Sequence, residues 1–173
     1  RTGQPVWSLH NEILQPAVMT LGLWTALVLA FGPMALVFCV LIAFWANFQL
    51  TSANYIEHYG LLRRTGADGR VERCQPHHSW NSNHVFSNWV VFHLQRHSDH
   101  HYKPDRRFPV LQTYSQDEAP QLPFGYPLMT MAAMVPPLWK RLMNRRVKAW
   151  RKRHYPDITD WHPYNKALNP VAD

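Results

Sequence analysis

The chain has 173 residues, enough for one ordinary domain with a buried core, and its formal net charge is +7. Its charge is unevenly distributed: residues 1–60 contain one basic and two acidic side chains, whereas residues 61–173 contain 17 basic and nine acidic ones. Two cysteines exclude a disulfide framework and a four-cysteine zinc site, and the absence of charge from residues 13–56 argues against a plain soluble fold.

Two apolar helices are predicted between residues 13 and 56. The apolar runs Ile13–Phe31 and Pro33–Leu50 each approach the length of about 20 residues that crosses a bilayer. Gly32 and Pro33 between them predict a tight turn, because proline cannot continue the first helix. The second helix should continue to Gly60, since no helix breaker precedes that residue. A single long helix and a buried soluble hairpin are the alternatives.

The distribution of charge predicts how this hairpin is oriented. Both of its ends emerge on one side, next to the 17 basic residues that follow residue 60. The positive-inside rule makes that side cytoplasmic. We therefore expect a multi-pass membrane protein whose polar part lies in the cytoplasm.

The remaining chain alternates loops with two further helix candidates. The predicted elements are a polar loop over 61–78, a helix from about Ser79 to His101, a proline-rich loop over 102–126, a broken amphipathic helix Pro127–Trp150 and an irregular tail over 154–173. We divide the chain functionally into residues 1–60, the two membrane helices, and 61–173, a histidine-rich and basic part of the same catalytic domain.

A group of histidines predicts a metal site. His97, His100 and His101 are spaced i, i+3 and i+4, so on a helix their imidazoles project from one face. Neutral imidazole suits iron, zinc, copper and nickel, so the spacing leaves the metal open. His58 is the natural fourth ligand, because it ends an isolated polar patch on a membrane helix; its alternative is an interfacial residue facing headgroups.

Three neighbouring side chains could support the ligands. Glu57 is either a partner that orients a ligand or a solvated charge at a helix end. Asp99 could bond the outer nitrogen of a ligating histidine, or pair with Arg96 or Arg106. His93 precedes His97 by one helical turn, and its apolar neighbours favour packing or support over ligation.

Two motifs resemble those of the membrane alkane 1-monooxygenases, which depend on rubredoxin and are related to xylene monooxygenase and membrane fatty-acid desaturases. They are Asn54-Tyr55-Ile56-Glu57-His58-Tyr59-Gly60-Leu61 and Leu94-Gln95-Arg96-His97-Ser98-Asp99-His100-His101. Further similarity lies in Ser79-Trp80-Asn81-Ser82-Asn83, Asp117-Glu118-Ala119-Pro120-Gln121-Leu122-Pro123, Gly125-Tyr126 and Pro136-Pro137-Leu138-Trp139. The matches extend over roughly residues 7–145, and the eight-residue histidine motif is highly specific.

The resemblance implies an all-α transmembrane bundle with a histidine-ligated diiron centre at its cytoplasmic end, in the bacterial inner membrane. It implies hydroxylation of the terminal carbon of an n-alkane with O₂ and electrons from rubredoxin. Carried over by motif, His58, His97, His100 and His101 are iron ligands, and no catalytic residue is expected beyond them. Two earlier histidine boxes of the family are absent, so we expect further transmembrane helices and ligands upstream.

Other functions remain as alternatives. A related diiron hydroxylase or desaturase would act on xylene-type aromatics or fatty acyl chains, and a metal-binding membrane subunit would lack oxidative chemistry. Clusters such as Arg151-Lys152-Arg153 also occur in nucleic-acid-binding proteins, but no recognition motif accompanies them. Anionic lipid headgroups and an acidic electron carrier suit basic groups beside a membrane better.

Overall fold

The computed structural model describes residues 7, 8 and 11–165, and its regular structure is helical. The α-helices are α1 Leu14–Phe31, α2 Met34–His58, α3 Val85–Val90, α4 His97–Tyr102, α5 Tyr126–Ala133 and α6 Pro136–His154. Short 3-10 helices occupy Pro76–His78, Phe108–Val110 and His162–Tyr164. Over these described residues β pairing is confined to isolated bridges, Thr65 with Val71 and Asn81 with Gln121. The predicted all-α class is confirmed.

The chain separates into two compact units, Arg1–Leu50 and Thr51–Asp173. Their boundary falls inside α2, so the last eight residues of that helix belong to the second unit. The functional division that the sequence suggests, after residue 60, lies slightly further along the chain.

The first unit consists of α1 and the apolar part of α2, joined by the predicted turn. Both helices are long and apolar enough to cross a membrane. Gly32 adopts a φ of 83° and donates its backbone N–H to the carbonyl of Val28 at 2.8 Å, which ends α1 before Pro33 begins the turn into α2. No residue of α1 is buried, so most of its surface is available to lipid or to further helices.

The second unit has the hydrophobic core. Its helix α6 contributes Trp139, Met143 and Val147, which recur every four residues on one face, whereas its exposed face is strongly basic. These side chains pack in one cluster with Ile56 from the end of α2 and Met129 from α5. The end of α2 is therefore held in place by apolar packing. The break in the predicted amphipathic helix is also confirmed, since α5 ends at Ala133 and α6 begins at Pro136.

The predicted single helix from Ser79 to His101 is wrong. Only α3 and α4 are helical there, and the turn between them contains Phe92 and His93 at φ values of 50° and 59°. Left-handed backbone in two successive non-glycine residues ends a right-handed helix. The segment before α3 is extended instead, because the backbone of Asn81 bonds Pro120 and Leu122. Its polar Asn and Ser side chains compete with helical hydrogen bonding.

Candidate metal centre

His58 is positioned by the way in which α2 ends. It is the last residue of the helix, and Gly60, two residues later, adopts a φ of 71°, a conformation that favours glycine. The Gly60 carbonyl accepts a hydrogen bond from Nε of the buried Arg151 at 2.8 Å, and the Arg151 guanidinium lies 4.0 Å from the centre of the Trp161 ring. The helix end that carries His58 is therefore attached to α6 and to the segment after it.

The short helix α4 is anchored by its two inner residues, which leaves its histidines available. Ser98 donates its backbone N–H to Oδ1 of Asn81 at 2.9 Å and its hydroxyl to the carbonyl of Pro76 at 2.6 Å. Asp99 is fully buried and accepts hydrogen bonds from Arg106 and from the backbone of Gln112. A helix of six residues is not stable by itself, so these contacts fix its position.

Three histidines from these two helices form a cluster. One ring nitrogen each from His58, His97 and His101 lies within 4.8 Å of the others. Nε2 of His97 lies 3.2 Å from Nε2 of His58. Two nitrogens that each lie about 2.1 Å from one ion are roughly 3.0–3.4 Å apart at octahedral or tetrahedral angles. The spacing of this pair therefore fits ligation of one metal ion.

The electrostatic environment favours the metal-binding form of the imidazoles. Burial, followed by the nearby His101 and His58, lowers the pKa of His97 to about 2. Burial and the other histidines also lower the pKa of His101. Both rings are therefore neutral at physiological pH, and only neutral imidazole offers a lone pair to a metal. His97 Nδ1 is buried and has no hydrogen-bond partner within the described residues, so no described protein group orients the ring through its outer nitrogen.

Glu57 belongs to this cluster and is not a solvated helix-end charge. Its side chain is 4% exposed, and Oε2 lies 3.3 Å from Nε2 of His97. A carboxylate beside a ligating imidazole orients the ring and raises its basicity, and it can itself ligate a metal. The contact is with Nε2, the nitrogen that also faces His58, so the carboxylate lies among the candidate ligand atoms and does not bond the outer nitrogen of His97.

The other predicted side chains lie outside the three-histidine cluster. His100 is exposed, and the centre of its ring is 6.0 Å from that of His97. His93 sits in the turn before α4, with Nδ1 3.1 Å from the carbonyl of Phe108, so it is not one helical turn before His97. Asp99 pairs with Arg106 at 2.7 Å, the alternative in which it supports α4 rather than a histidine ring.

A second group of histidines lies beside this centre, and the backbone carbonyl of His78 is 3.4 Å from Nδ1 of His58. The rings of His77 and His78 have centres 4.0 Å apart, and His154 stacks on His77 at 5.2 Å. His78 is buried, and its Nε2 lies 3.2 Å from Oε1 of Glu72. This Glu–His pair resembles that of Glu57 and His97 in distance but lacks the converging nitrogens.

Asn81 supports α4, and histidine spacing gives no indication of this role. It is buried, and its amide holds both the backbone and the hydroxyl of Ser98, next to His97. The signal available in the sequence is its place in Ser79-Trp80-Asn81-Ser82-Asn83, but nothing in the spacing indicates that this segment contacts α4.

Comparison with known proteins identifies close relatives. An alkane 1-monooxygenase 1 of Alcanivorax borkumensis is 52% identical over 150 residues, which cover 87% of this chain and 37% of the relative. An alkane 1-monooxygenase of Pseudomonas putida is 53% identical over the same shares. A xylene/toluene monooxygenase hydroxylase component of Pseudomonas putida is 27% identical over 158 residues, 89% of this chain and 40% of that protein. The chain thus spans well under half the length of these relatives.

The family is established by a match to most of the chain. Residues 4–133, which include both membrane-capable helices and both parts of the histidine cluster, match the sequence model of the fatty acid desaturases. This match confirms the resemblance inferred from the motifs. The chain is a membrane protein with an all-helical fold, and it belongs to the fatty acid desaturase family.

Proposed function

We propose that this chain provides part of the catalytic centre of a membrane alkane 1-monooxygenase. The observation that carries the proposal is the His58, His97 and His101 cluster within a chain that is 52–53% identical to two proteins of that name. The family implies a non-haem iron centre. The overall reaction converts an n-alkane, O₂, two electrons and two protons into a primary alcohol and water.

The residues of the cluster have distinct roles in this proposal. His58, His97 and His101 would hold one iron ion through neutral imidazole nitrogens, and Glu57 places its carboxylate beside Nε2 of His97. Bound iron supplies the activation of O₂ that an unactivated C–H bond requires. Burial of Glu57 and His97 excludes water from one side of the site, which protects an oxidising reaction from side reactions.

A second iron ion would account for His100. Its ring is exposed beside His101, at 5.5 Å between centres, and lies outside the three-histidine cluster. We assign it to a second ion, whose further ligands are not supplied by these four histidines.

Rubredoxin is the proposed electron donor, and the basic face of α6 supports this assignment. Arg146 and Arg153 line a cleft of about 740 Å³ together with Trp80. The backbone N–H of Trp80 donates to the carbonyl of Glu57 at 2.7 Å, which connects the cleft to the residue before His58. Charge reversal by Arg146→Glu with Arg153→Glu should slow rubredoxin-dependent turnover at low salt but spare chemically reduced enzyme, because salt screens such attraction.

The proposed location is the bacterial inner membrane, with the metal centre on the cytoplasmic side. The support is the charge distribution, since 17 of the 18 Lys and Arg residues follow residue 60. His58 is eight residues beyond Leu50, or about 12 Å along the axis of α2. The centre would then lie close to the cytoplasmic surface of the bilayer.

Substrate analysis distinguishes the alternatives. Complete enzyme should be supplied with O₂ and reduced rubredoxin, and then with octane, xylene or a fatty acyl substrate in separate reactions. The proposal predicts 1-octanol as the main product. Turnover of xylene or of acyl chains alone would favour the related hydroxylase or desaturase, and metal binding without any oxidation would favour the metal-binding subunit.

A further inference from the structure

The region from the loop before α5 to the start of α6 has an unusual charge pattern. Residues 119–139 contain no Asp, Glu, Lys or Arg, and Lys140 and Arg141 follow immediately. It belongs to the otherwise strongly basic second unit. None of the three clustered histidines lies in it.

Only part of this segment is needed for the core. Tyr126, Met129 and Trp139 are buried. Five large apolar side chains between them point outward, and we call residues 128–138 the elbow. The outward side chains and their exposed fractions are Leu128 59%, Met131 64%, Met134 50%, Val135 50% and Leu138 46%. Clustered exposure of this kind marks a surface that contacts something apolar.

Basic side chains border the elbow on its α6 side. Arg141 is exposed and lies one helical turn after Leu138, about 4.5 Å along the axis. Lys140 is half-buried beside it. The headgroup layer of a bilayer is roughly 5–8 Å thick on each side. If Leu138 reaches the boundary of the hydrocarbon, Arg141 lies at the depth of the lipid phosphates.

We propose that the elbow inserts into the membrane interface, with Lys140 and Arg141 bound to anionic headgroups. An apolar tip followed by basic residues is the pattern of interfacial membrane segments. The second unit is covalently continuous with α2, whose apolar part is long enough to span a bilayer, so a lipid surface is always near. This inference does not depend on the reaction that the enzyme catalyses.

Bimane fluorescence in proteoliposomes tests the proposal. In complete protein with Cys39→Ser and Cys74→Ser, the label is placed on Met131→Cys, Leu138→Cys or, as a water-exposed control, Lys152→Cys. Vesicles contain phosphatidylethanolamine with phosphatidylglycerol, or phosphatidylcholine alone. We expect brominated lipid to quench the labels at 131 and 138 but not the label at 152. Aqueous iodide should quench the label at 152 but not those at 131 and 138.

Charge variants test the role of the headgroups. The double variant Lys140→Gln with Arg141→Gln is measured with the label at position 138 in anionic vesicles. We expect the ratio of lipid-inserted to water-exposed label to fall about fivefold for each charge removed. The control variant Arg146→Gln with Arg153→Gln removes the same charge elsewhere on α6 and should leave this ratio unchanged.

Iodide quenching of the labels at 131 and 138 would overturn insertion. Protection of these labels from both quenchers would also overturn it, because it would mean that protein covers the elbow. Equal quenching in both vesicle types would overturn the headgroup assignment.

Discussion

Nε2 of His58 and Nε2 of His97 lie 3.2 Å apart, although 39 residues separate them in sequence. One residue closes the long apolar helix α2 and the other opens the short helix α4. The two rings meet because the end of α2 packs in the core through Ile56 and because Asn81 holds α4 through Ser98. The ligand geometry is thus built by contacts of residues that are not ligands.

Glu57→Gln tests the carboxylate beside His97. Loss of its charge should weaken metal binding by about 10–100-fold, the usual effect of removing such a partner, while the fold persists because glutamine has the same shape. The measurement is a titration of metal-free protein with Co²⁺, followed by absorption. Glu72→Gln is the matched control, because Glu72 lies 3.2 Å from His78 outside the cluster. Equal weakening in both variants would contradict a role specific to Glu57.

Asn81→Ala tests the support of α4. The substitution removes both hydrogen bonds to the buried Ser98 and should lower stability by about 1–3 kcal/mol, seen as a lower Tm, and should also weaken Co²⁺ binding. Asn88 is the matched control, since it is equally buried but bonds Ser82 and His84 instead. Asn88→Ala should lower Tm without weakening Co²⁺ binding. A metal affinity unchanged by Asn81→Ala would show that α4 needs no such anchor.

Gly60→Ala tests how the end of α2 positions His58. A Cβ at a φ of 71° should cost about 1 kcal/mol and displace the turn after His58, which weakens metal binding. Gly69 has a φ of 74° with nothing within 4 Å of an added Cβ, in the loop away from the cluster. Gly69→Ala should therefore cost similar stability but leave the metal affinity intact. A larger loss of metal affinity in Gly69→Ala than in Gly60→Ala would contradict this account.

Cysteine labelling tests the membrane hairpin. In a background with Cys39→Ser and Cys74→Ser, single cysteines replace Met34 in the turn region and Asp68 in the polar loop. An impermeant maleimide applied to oriented vesicles should label the two positions from opposite sides, because one membrane crossing separates them. Labelling of both from the same side would reject a spanning α2.

The sequence predicts the parts of this fold that depend on local pattern. The uncharged stretch predicts α1 and α2, and Gly32-Pro33 predicts their turn. The histidine spacing predicts that His97 and His101 lie together, but it does not predict that His100 lies outside their cluster with His58. The break at Phe92 and His93 could not be predicted, because neither residue favours left-handed backbone and tertiary contacts impose it. The burial of Glu57 could not be predicted either, because the residues that pack around it are distant in the chain.

The most direct test of the central claim is the iron content of four variants of the complete enzyme, purified without oxygen. His58→Ala, His97→Ala and His101→Ala should each lose iron from the site, because alanine offers no lone pair and no neighbouring side chain reaches the same point. His93→Gln should retain iron, since His93 lies in the turn before α4 and its Nδ1 faces the Phe108 carbonyl. Loss of iron from His93→Gln together with full retention in His97→Ala would contradict the assignment of the metal centre.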